Sequence, residues 1–239
     1  MPPNILFGGI LLRGEKMDIN AVKEQVRLLL DSDASGHGFD HVRRVEALAL
    51  SFARKENADE TLTSLIALLH DADDYKLFGE ENEASLPNAR RILTLAGAEE
   101  PTAGKVIAEI KRLGYSKALN GVRPLTPEGK CVSDADMCDA LGANGILRTY
   151  AFGAKHDRPF YLPEIAPREE LSAREYRAGE TATGVGHMFE KILRLKNYML
   201  TSSGKTEAET RHRATAAFLD ELFREENDEN LRKKLQSYT

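Results

Sequence analysis

An imidazole and a carboxylate stand side by side at His70 and Asp71, where an apolar helical pattern ends. Neighbouring residues on a helix point about 100° apart, so both side chains can reach one metal ion only near the end of the helix. The sequence supplies such an end, because residues 71–76 abandon the apolar pattern. A His-Asp pair by itself is a weak signal, since a solvated pair at a capped helix end explains it more simply.

Further candidate metal ligands lie on two other predicted helices. His41 precedes His70 by 29 residues, and an antiparallel pair of helices of that length brings the two imidazoles towards each other. Downstream, Asp136 and Asp139 share one face of an otherwise apolar helix, where a carboxylate is costly to bury unless it is paired or bound to a cation. Asp134 points elsewhere and is a candidate to cap or brace that helix. Asp136 is the preferred ligand, with Asp139 and Asp134 as the alternatives.

Apolar residues recur at helical spacing through most of the chain. The pattern predicts helices at about 18–31, from 37 or 39 to 55, and at 59–70, 84–96, 102–113, 129–152, 180–200 and 206–225. Polar or proline-containing connections are predicted at 71–83, 114–128 and 153–168. Residues 7–12 could hold a short strand, but no alternating stretch is long enough to establish one. The predicted fold class is therefore all-α.

Composition favours a globular protein and excludes several functions. The 239 residues include 33 basic and 38 acidic side chains, a formal charge of −5 that argues against a long nucleic acid as partner. The sequence has no apolar run of about 18 residues that could cross a membrane. The apolar stretch 4–12 lacks the flanking features of a signal peptide, so the expected compartment is the cytoplasm. Cys131 and Cys138 do not form a CxxC motif and are expected to be small core residues.

The sequence contains no internal repeat and no shift in composition that would mark a domain boundary. A single domain is predicted at residues 17–226. It is preceded by an N-terminal extension at 1–16 and followed by a charged C-terminal tail at 227–239, which is expected to fray.

His41, the pair His70-Asp71 and Asp136, in this order, resemble the His…His-Asp…Asp signature of the HD-domain superfamily of metal-dependent phosphohydrolases. The similarity is closest to a group of small bacterial and archaeal HD hydrolases. It extends over about residues 20–225, through the stretches 35–45, 67–76, 128–145 and 187–193. The resemblance implies an all-α, HD-domain-like helical bundle with a single divalent metal site between helices. The implied ligands are His41, His70, Asp71 and Asp136.

Two departures from the family pattern leave these ligands in place. Met137 and Cys138 stand where members more often carry Arg and Leu, and Phe39-Asp40 replaces the usual aromatic pair. A ligand set of two imidazoles and two carboxylates suits one ion of Mn, Fe, Co, Ni or Zn better than Ca, and Mg is a further option. The chemistry of the ligands does not select among these metals.

Other polar residues close to the motifs have candidate roles in catalysis. Asp74 or Asp73 could orient or deprotonate a water molecule, and His187 could contact the substrate or protonate a leaving group. Four basic residues are candidates for neutralising phosphate charge, namely Lys76, Arg44, Lys130 and Arg148. Three other histidines have no predicted catalytic role. His37 is a candidate to support the metal ligands from outside or to begin a helix, and His156 and His212 are expected to be solvated.

The residues and the resemblance together predict a divalent-metal-dependent phosphohydrolase. Its expected substrate is a small phosphorylated metabolite, most consistently a nucleotide, cleaved by a pyrophosphohydrolase or a phosphomonoesterase reaction. The alternatives are a non-catalytic module that binds metal or nucleotide and acts through a partner, and a purely structural helical protein. The oligomeric state is left open, with a homodimer as one option.

Overall fold

The computed structural model describes residues 17–31, 38–168, 172–178 and 181–239, and all regular elements in these residues are helices. In chain order they are α1 (Ile19–Leu30), α2 (Phe39–Glu56), α3 (Glu60–Leu69), α4 (Tyr75–Phe78), α5 (Glu80–Ser85), α6 (Pro87–Leu95), α7 (Glu100–Ile110), α8 (Tyr115–Leu119), α9 (Pro127–Asp139), α10 (Gly142–Lys155), α11 (Ala173–Arg177), α12 (Gly184–Glu190), a 3₁₀ helix (Ile192–Tyr198), α13 (Ser202–Glu225) and α14 (Glu229–Leu235). The all-α prediction is confirmed. The expectations for residues 7–12 and for His37 lie outside the described residues.

Three helices, α2, α3 and α9, pack against one another and position the candidate site. A short turn joins α2 to α3, with Asn57 in the left-handed conformation and the Asp59 carboxylate accepting the backbone N–H of Leu62. His41 near the start of α2 lies 3.1 Å from His70 just beyond the end of α3, so the two helices run antiparallel. This arrangement was predicted from the sequence. Both cysteines lie on α9 and are fully buried, as expected of core residues.

The single helix predicted at 129–152 is in fact two helices, α9 and α10. The chain turns at Gly142, whose φ of 69° belongs to the left-handed region that glycine tolerates best. The Gly142 N–H donates to Thr215 Oγ1 on α13 at 2.8 Å, which ties the start of α10 to its neighbour. A run of small residues on both sides of the turn conceals the break in the sequence pattern.

Short helices occupy segments that were predicted as connections. The predicted loop 71–83 contains α4 and most of α5, and the predicted connection 114–128 contains α8. The helix predicted at 180–200 is divided into α12 and the 3₁₀ helix. Elements of four to seven residues are too short to show a helical period, so capping groups such as Asp74, which accepts the Lys76 N–H, mark them instead.

The C-terminal tail does not fray. Residues 229–235 form α14, which packs on α13 through the buried side chains of Leu231 and Leu235. His212 is buried rather than solvated, and its Nε2 lies 2.8 Å from the carbonyl oxygen of Tyr238. Apolar contacts, this hydrogen bond and the ion pair of Arg232 with Asp220 of α13 therefore hold a segment whose charged sequence predicted exposure.

Asp134 braces the helical bundle, which is one of the two roles that the sequence predicted for it. Its buried carboxylate accepts the backbone N–H groups of Leu200 and Thr201 and the Thr201 hydroxyl, at 2.7–2.9 Å for the shortest contact to each donor. We expect Asp134→Ala to lower the free energy of unfolding by about 2–4 kcal/mol, because buried donors lose their acceptor. Asp134→Asn keeps one acceptor oxygen and should lose less. Urea denaturation of the three proteins measures this order, and equal stability of Asp134→Ala and wild type would contradict it.

Candidate metal centre

Four side chains from three parts of the bundle converge at one point. His41 Nε2 and His70 Nε2 lie 3.1 Å apart, and Asp71 Oδ2 lies 3.4 and 3.5 Å from these two nitrogens. Asp136 Oδ1 lies 3.5 Å from His41 Nε2 and 3.9 Å from His70 Nε2. The two imidazoles and the Asp71 carboxylate are almost fully buried, whereas Asp136 is partly exposed to the adjoining cleft. The structure thus brings together all four ligands that the sequence predicted.

The hydrogen bonds of the two imidazoles direct their Nε2 atoms into this point. His41 Nδ1 lies 2.7 Å from Asp139 Oδ2, and His70 Nδ1 lies 2.7 Å from the carbonyl oxygen of Ala67. A carboxylate and a carbonyl are acceptors, so each Nδ1 carries a proton and the lone pair of each Nε2 is left to face this point. Two lone pairs 3.1 Å apart repel each other unless a proton or a metal ion lies between them.

These distances fit a divalent metal ion. Ligand atoms bound at about 2.1 Å to one ion lie roughly 3.0 Å apart at right angles and roughly 3.4 Å apart in a tetrahedron. The donor atoms of His41, His70 and Asp71 lie 3.1, 3.4 and 3.5 Å apart, close to these values. Burial and the charge of Arg148 lower the pKa of His41, but hydrogen bonds to Asp139 and Asp71 outweigh them and raise it. The carboxylates that attract a proton to this point also attract a metal cation.

Asp139 supports the centre from behind His41. Its buried carboxylate accepts hydrogen bonds from Arg44 Nε at 2.8 Å and Arg148 Nη1 at 3.0 Å as well as from His41. Burial alone would raise the pKa of Asp139, but the hydrogen bonds from His41 and Arg44 hold it well below its usual range. Asp139 is therefore a charged group that holds the His41 ring, and Arg44, which also pairs with Asp40 at 2.6 Å, contacts Asp139 and lines neither cavity described below.

The two aspartates after the His-Asp pair have different surroundings. Asp73 is buried and its two oxygens accept the backbone N–H groups of Asn88 and Ala89 at 3.1 and 2.9 Å, which fastens the start of α6. Asp74 caps α4, and burial and the Asp71 charge raise its pKa. Both line the cavity described next, but the hydrogen bonds of Asp73 are those of a structural residue.

Two adjoining cavities of about 110 and 360 Å³ open beside the four converging side chains. The smaller cavity is lined by His70, Asp71 and Asp136, and the larger one by the aromatic residues Phe152, His156 and Tyr176 among others. Among the described residues, six line both cavities and so mark their junction, namely Tyr75, Lys76, Ala140, Arg148, Tyr176 and Lys191. The two cavities thus share part of their walls and form one cleft, and the candidate ligands His70, Asp71 and Asp136 line only its smaller part.

Two of the predicted phosphate-binding residues, Lys76 and Arg148, lie at this junction. Lys130 does not, because it lies on α9 six residues before Asp136, about 9 Å along the helix axis, and is not among the described residues that line either cavity. Sequence reasoning missed Tyr176 and Lys191. The sequence offered one indication of them, because Lys191 belongs to the stretch 187–193, one of those that resemble the HD-domain superfamily.

His187 lines the larger cavity, near the junction. Its ring lies nearly parallel to that of Tyr176, at 18° and 6.4 Å between centroids. Burial lowers the pKa of His187 well below its usual value, and the surrounding charges of Lys191 and Lys76 lower it further. At neutral pH this imidazole is therefore uncharged, which suits contact with a substrate better than release of a proton from an imidazolium.

Comparison with known proteins agrees with this geometry. Residues 38–141 match the HD domain family model, and this range includes all four converging side chains. The YpgQ protein of Bacillus subtilis (strain 168), whose name describes it as uncharacterized, is 32% identical to the chain over 202 residues, 84% of this chain and 90% of YpgQ. The chain belongs to the HD domain family. Its helices α2, α3 and α9 lie within this HD domain, and the four candidate ligands lie on or directly beside them.

Solved structures of similar proteins share the fold. The crystal structure of an HD-superfamily hydrolase from Bacillus thuringiensis is 33% identical, with a TM-score of 0.66, and covers 88% of this chain and 97% of its own. A Lactobacillus plantarum protein is 32% identical with a TM-score of 0.76, over 87% of this chain and 96% of its own. YpgQ in complex with ADP is 26% identical with a TM-score of 0.66, over 87% and 97%. The likeness extends beyond the HD domain match to most of the chain.

Proposed function

We propose that the protein is a divalent-metal-dependent phosphohydrolase that acts on a nucleotide. The observation that carries this proposal is the convergence of two imidazole lone pairs and two carboxylates at the end of a cleft that contains cationic side chains. A site of this kind attracts a metal ion to one end and phosphoryl oxygens to the other. Among the described residues, no helix has the length and apolarity to span a membrane.

His41, His70, Asp71 and Asp136 are the residues that would hold the ion. A divalent ion bound to them would supply Lewis-acid activation of water and neutralise charge on a phosphoryl group. Asp139 keeps the His41 ring in the tautomer that presents Nε2 to the ion.

The residues around the ion site have distinct roles in the proposal. Asp74 lines the smaller cavity and is the candidate to orient a water molecule or accept its proton. Lys76 and Arg148 line both cavities and would balance the charge of the phosphoryl group. His187 would contact the part of the substrate that enters the larger cavity.

The nucleotide class rests on two observations. The larger cavity, of about 360 Å³, falls within the range of small-molecule sites and has aromatic side chains in its wall. A structural relative, YpgQ, is known in complex with ADP. A nucleotide has a phosphate group for the ion end of the cleft and a flat base for the aromatic end.

A release assay tests the proposed function. We expect metal-depleted protein to hydrolyse one or more nucleotides only after Mn²⁺ is added, and Asp71→Ala to show no metal-dependent release. Separate detection of phosphate and pyrophosphate distinguishes the phosphomonoesterase from the pyrophosphohydrolase reaction. A tightly bound metal without turnover of any nucleotide would contradict the enzyme and favour the non-catalytic binding module. Absence of both metal and turnover would contradict the whole site.

A further inference from the structure

His212 of α13 fastens the C-terminal residues to the rest of the bundle. Its side chain is 1% exposed, and its Nε2 lies 2.8 Å from the carbonyl oxygen of Tyr238. Because a carbonyl oxygen can only accept, Nε2 carries the proton and Nδ1 keeps a lone pair. Within the part of the chain that the structure describes, this Nδ1 is a buried atom without a hydrogen-bond partner. The packing therefore holds the imidazole as one neutral tautomer.

The groups that face His212 disfavour a second proton on its ring. Burial and the charge of Lys196 on the 3₁₀ helix lower the pKa of His212. The hydrogen bond to Tyr238 and the charge of Glu209 on α13 act in the opposite direction but are weaker, so the pKa lies below its usual value. Three further charged side chains of α13 and α14 line a cavity of about 440 Å³ beside His212, namely Arg213, Asp220 and Arg232. The last two form an ion pair at 3.0 Å.

Tyr238 also contacts the elements behind the larger cavity of the cleft. Its hydroxyl oxygen accepts from Arg194 Nη2 at 3.2 Å, and its ring centroid lies 5.4 Å from that of Phe189. Arg194 Nε donates to the carbonyl oxygen of Phe189 at 3.1 Å. Phe189 stands two residues from both His187 and Lys191, and these two line the larger cavity. Tyr238 thus connects His212 with the wall of that cavity.

We propose that His212 is a proton-sensitive latch that releases residues 236–239 in mildly acidic solution and thereby loosens the wall of the larger cavity. This device goes beyond the proposed function and does not depend on what the cleft binds. A proton on Nδ1 would make it a buried donor without an acceptor, close to the charge of Lys196. Detachment of Tyr238 exposes the imidazole to water, where it takes up the proton without this cost.

The direction of the pH dependence follows from proton binding. The docked state binds fewer protons than the released state, because the pKa of His212 is lowered only while the ring is buried. Docking is therefore most stable above the ordinary imidazole pKa of about 6.5 and weakens as the pH falls through that value. Each pH unit below it shifts the equilibrium towards release by at most about tenfold, until the lowered pKa is reached.

Hydrogen–deuterium exchange of the whole chain tests the latch. The Tyr238 N–H, which donates to the carbonyl oxygen of Leu235 at 2.9 Å, reports release of the C-terminal residues. After correction for the intrinsic pH dependence of exchange, we expect its protection to fall about threefold to tenfold between about pH 7.5 and 5.5. Protection of the amides at 187–195 should fall over the same range. Unchanged protection at either segment would overturn the proposal.

His212→Gln separates the latch from other effects of acid. Glutamine offers an amide N–H in place of the Nε2–H and has no proton to gain, so protection of the Tyr238 N–H should change by less than about twofold over this range. The matched control is His156→Gln, which replaces an exposed histidine and should keep the pH dependence of the wild type. A pH dependence in His212→Gln equal to that of the wild type would overturn the proposal.

NMR of the wild type labelled with ¹⁵N-histidine decides the matter if His212→Gln fails to fold. We expect the His212 ring to carry its proton on Nε2 at neutral pH and to titrate with a pKa below the ordinary value of about 6.5. A pKa at or above that value, or a proton on Nδ1 at neutral pH, would overturn the latch.

Discussion

Asp71→Asn is expected to reduce metal-dependent turnover by about a thousandfold. The substitution keeps the size of the side chain but removes the negative charge that lies 3.4–3.5 Å from both Nε2 atoms. A thousandfold loss corresponds to about 4 kcal/mol of transition-state stabilisation, within the range that a catalytic metal ion provides. Turnover of the nucleotide found in the release assay, together with metal content by mass spectrometry, measures both consequences.

The matched control for this prediction is Asp220→Asn. Asp220 is a half-exposed residue of α13 that pairs with Arg232 at 3.0 Å and has no contact with the site. It should retain the metal content and turnover of the wild type. Full turnover by Asp71→Asn at the metal concentration that saturates the wild type would contradict the role assigned to Asp71.

Asp139→Ala is expected to damage stability and metal binding together. The substitution removes the acceptor of His41 Nδ1 and the shared partner of Arg44 and Arg148, from a side chain that is only 2% exposed. Removing one member of a buried charge pair costs about 3–5 kcal/mol, which in a chain of this size lowers the Tm by roughly 6–20 °C. Loss of an outer-sphere partner of a ligating histidine weakens metal binding about tenfold to a hundredfold.

Asp139→Asn separates the two effects. An asparagine oxygen can still accept the His41 Nδ1–H, but the charge that pairs with the two arginines is lost. We therefore expect this variant to retain more metal affinity than Asp139→Ala while losing much of the same thermal stability. Thermal unfolding and Mn²⁺ titration of the three proteins provide the comparison. Metal affinity of Asp139→Ala equal to that of the wild type would show that His41 needs no support from Asp139.

The sequence was sufficient to predict that the candidate ligands converge, because the segments that carry them follow local rules. His70 and Asp71 end a strongly apolar helix, and the turn at 57–59 is short enough to return the chain and bring His41 to them. Asp136 was distinguishable from Asp139 mainly through the resemblance. Their spacing places both on one face, and only the three-dimensional structure shows that Asp139 lies behind His41 while Asp136 faces the cleft.

Other parts of the site depend on contacts between distant segments, which no local pattern records. Tyr176 lies on α11, a helix of five residues. Its contacts with Lys191 and with the Tyr115 ring of α8 hold it at the cleft. Arg44 was predicted to bind phosphate because its charge is visible in the sequence. Its actual partner, Asp139, lies 95 residues further along the chain, so no local pattern reveals the pair. The break at Gly142 is similar, since Thr215 of α13, which receives its N–H, lies 73 residues further along the chain.

The measurement that tests the central claim most directly is anomalous diffraction from a crystal of the Mn²⁺-loaded protein. The account predicts one strong peak per chain, within bonding distance of His41 Nε2, His70 Nε2 and carboxylate oxygens of Asp71 and Asp136. A peak at another place with none at these four side chains, or no peak in crystals whose protein binds Mn²⁺ in solution, would contradict it.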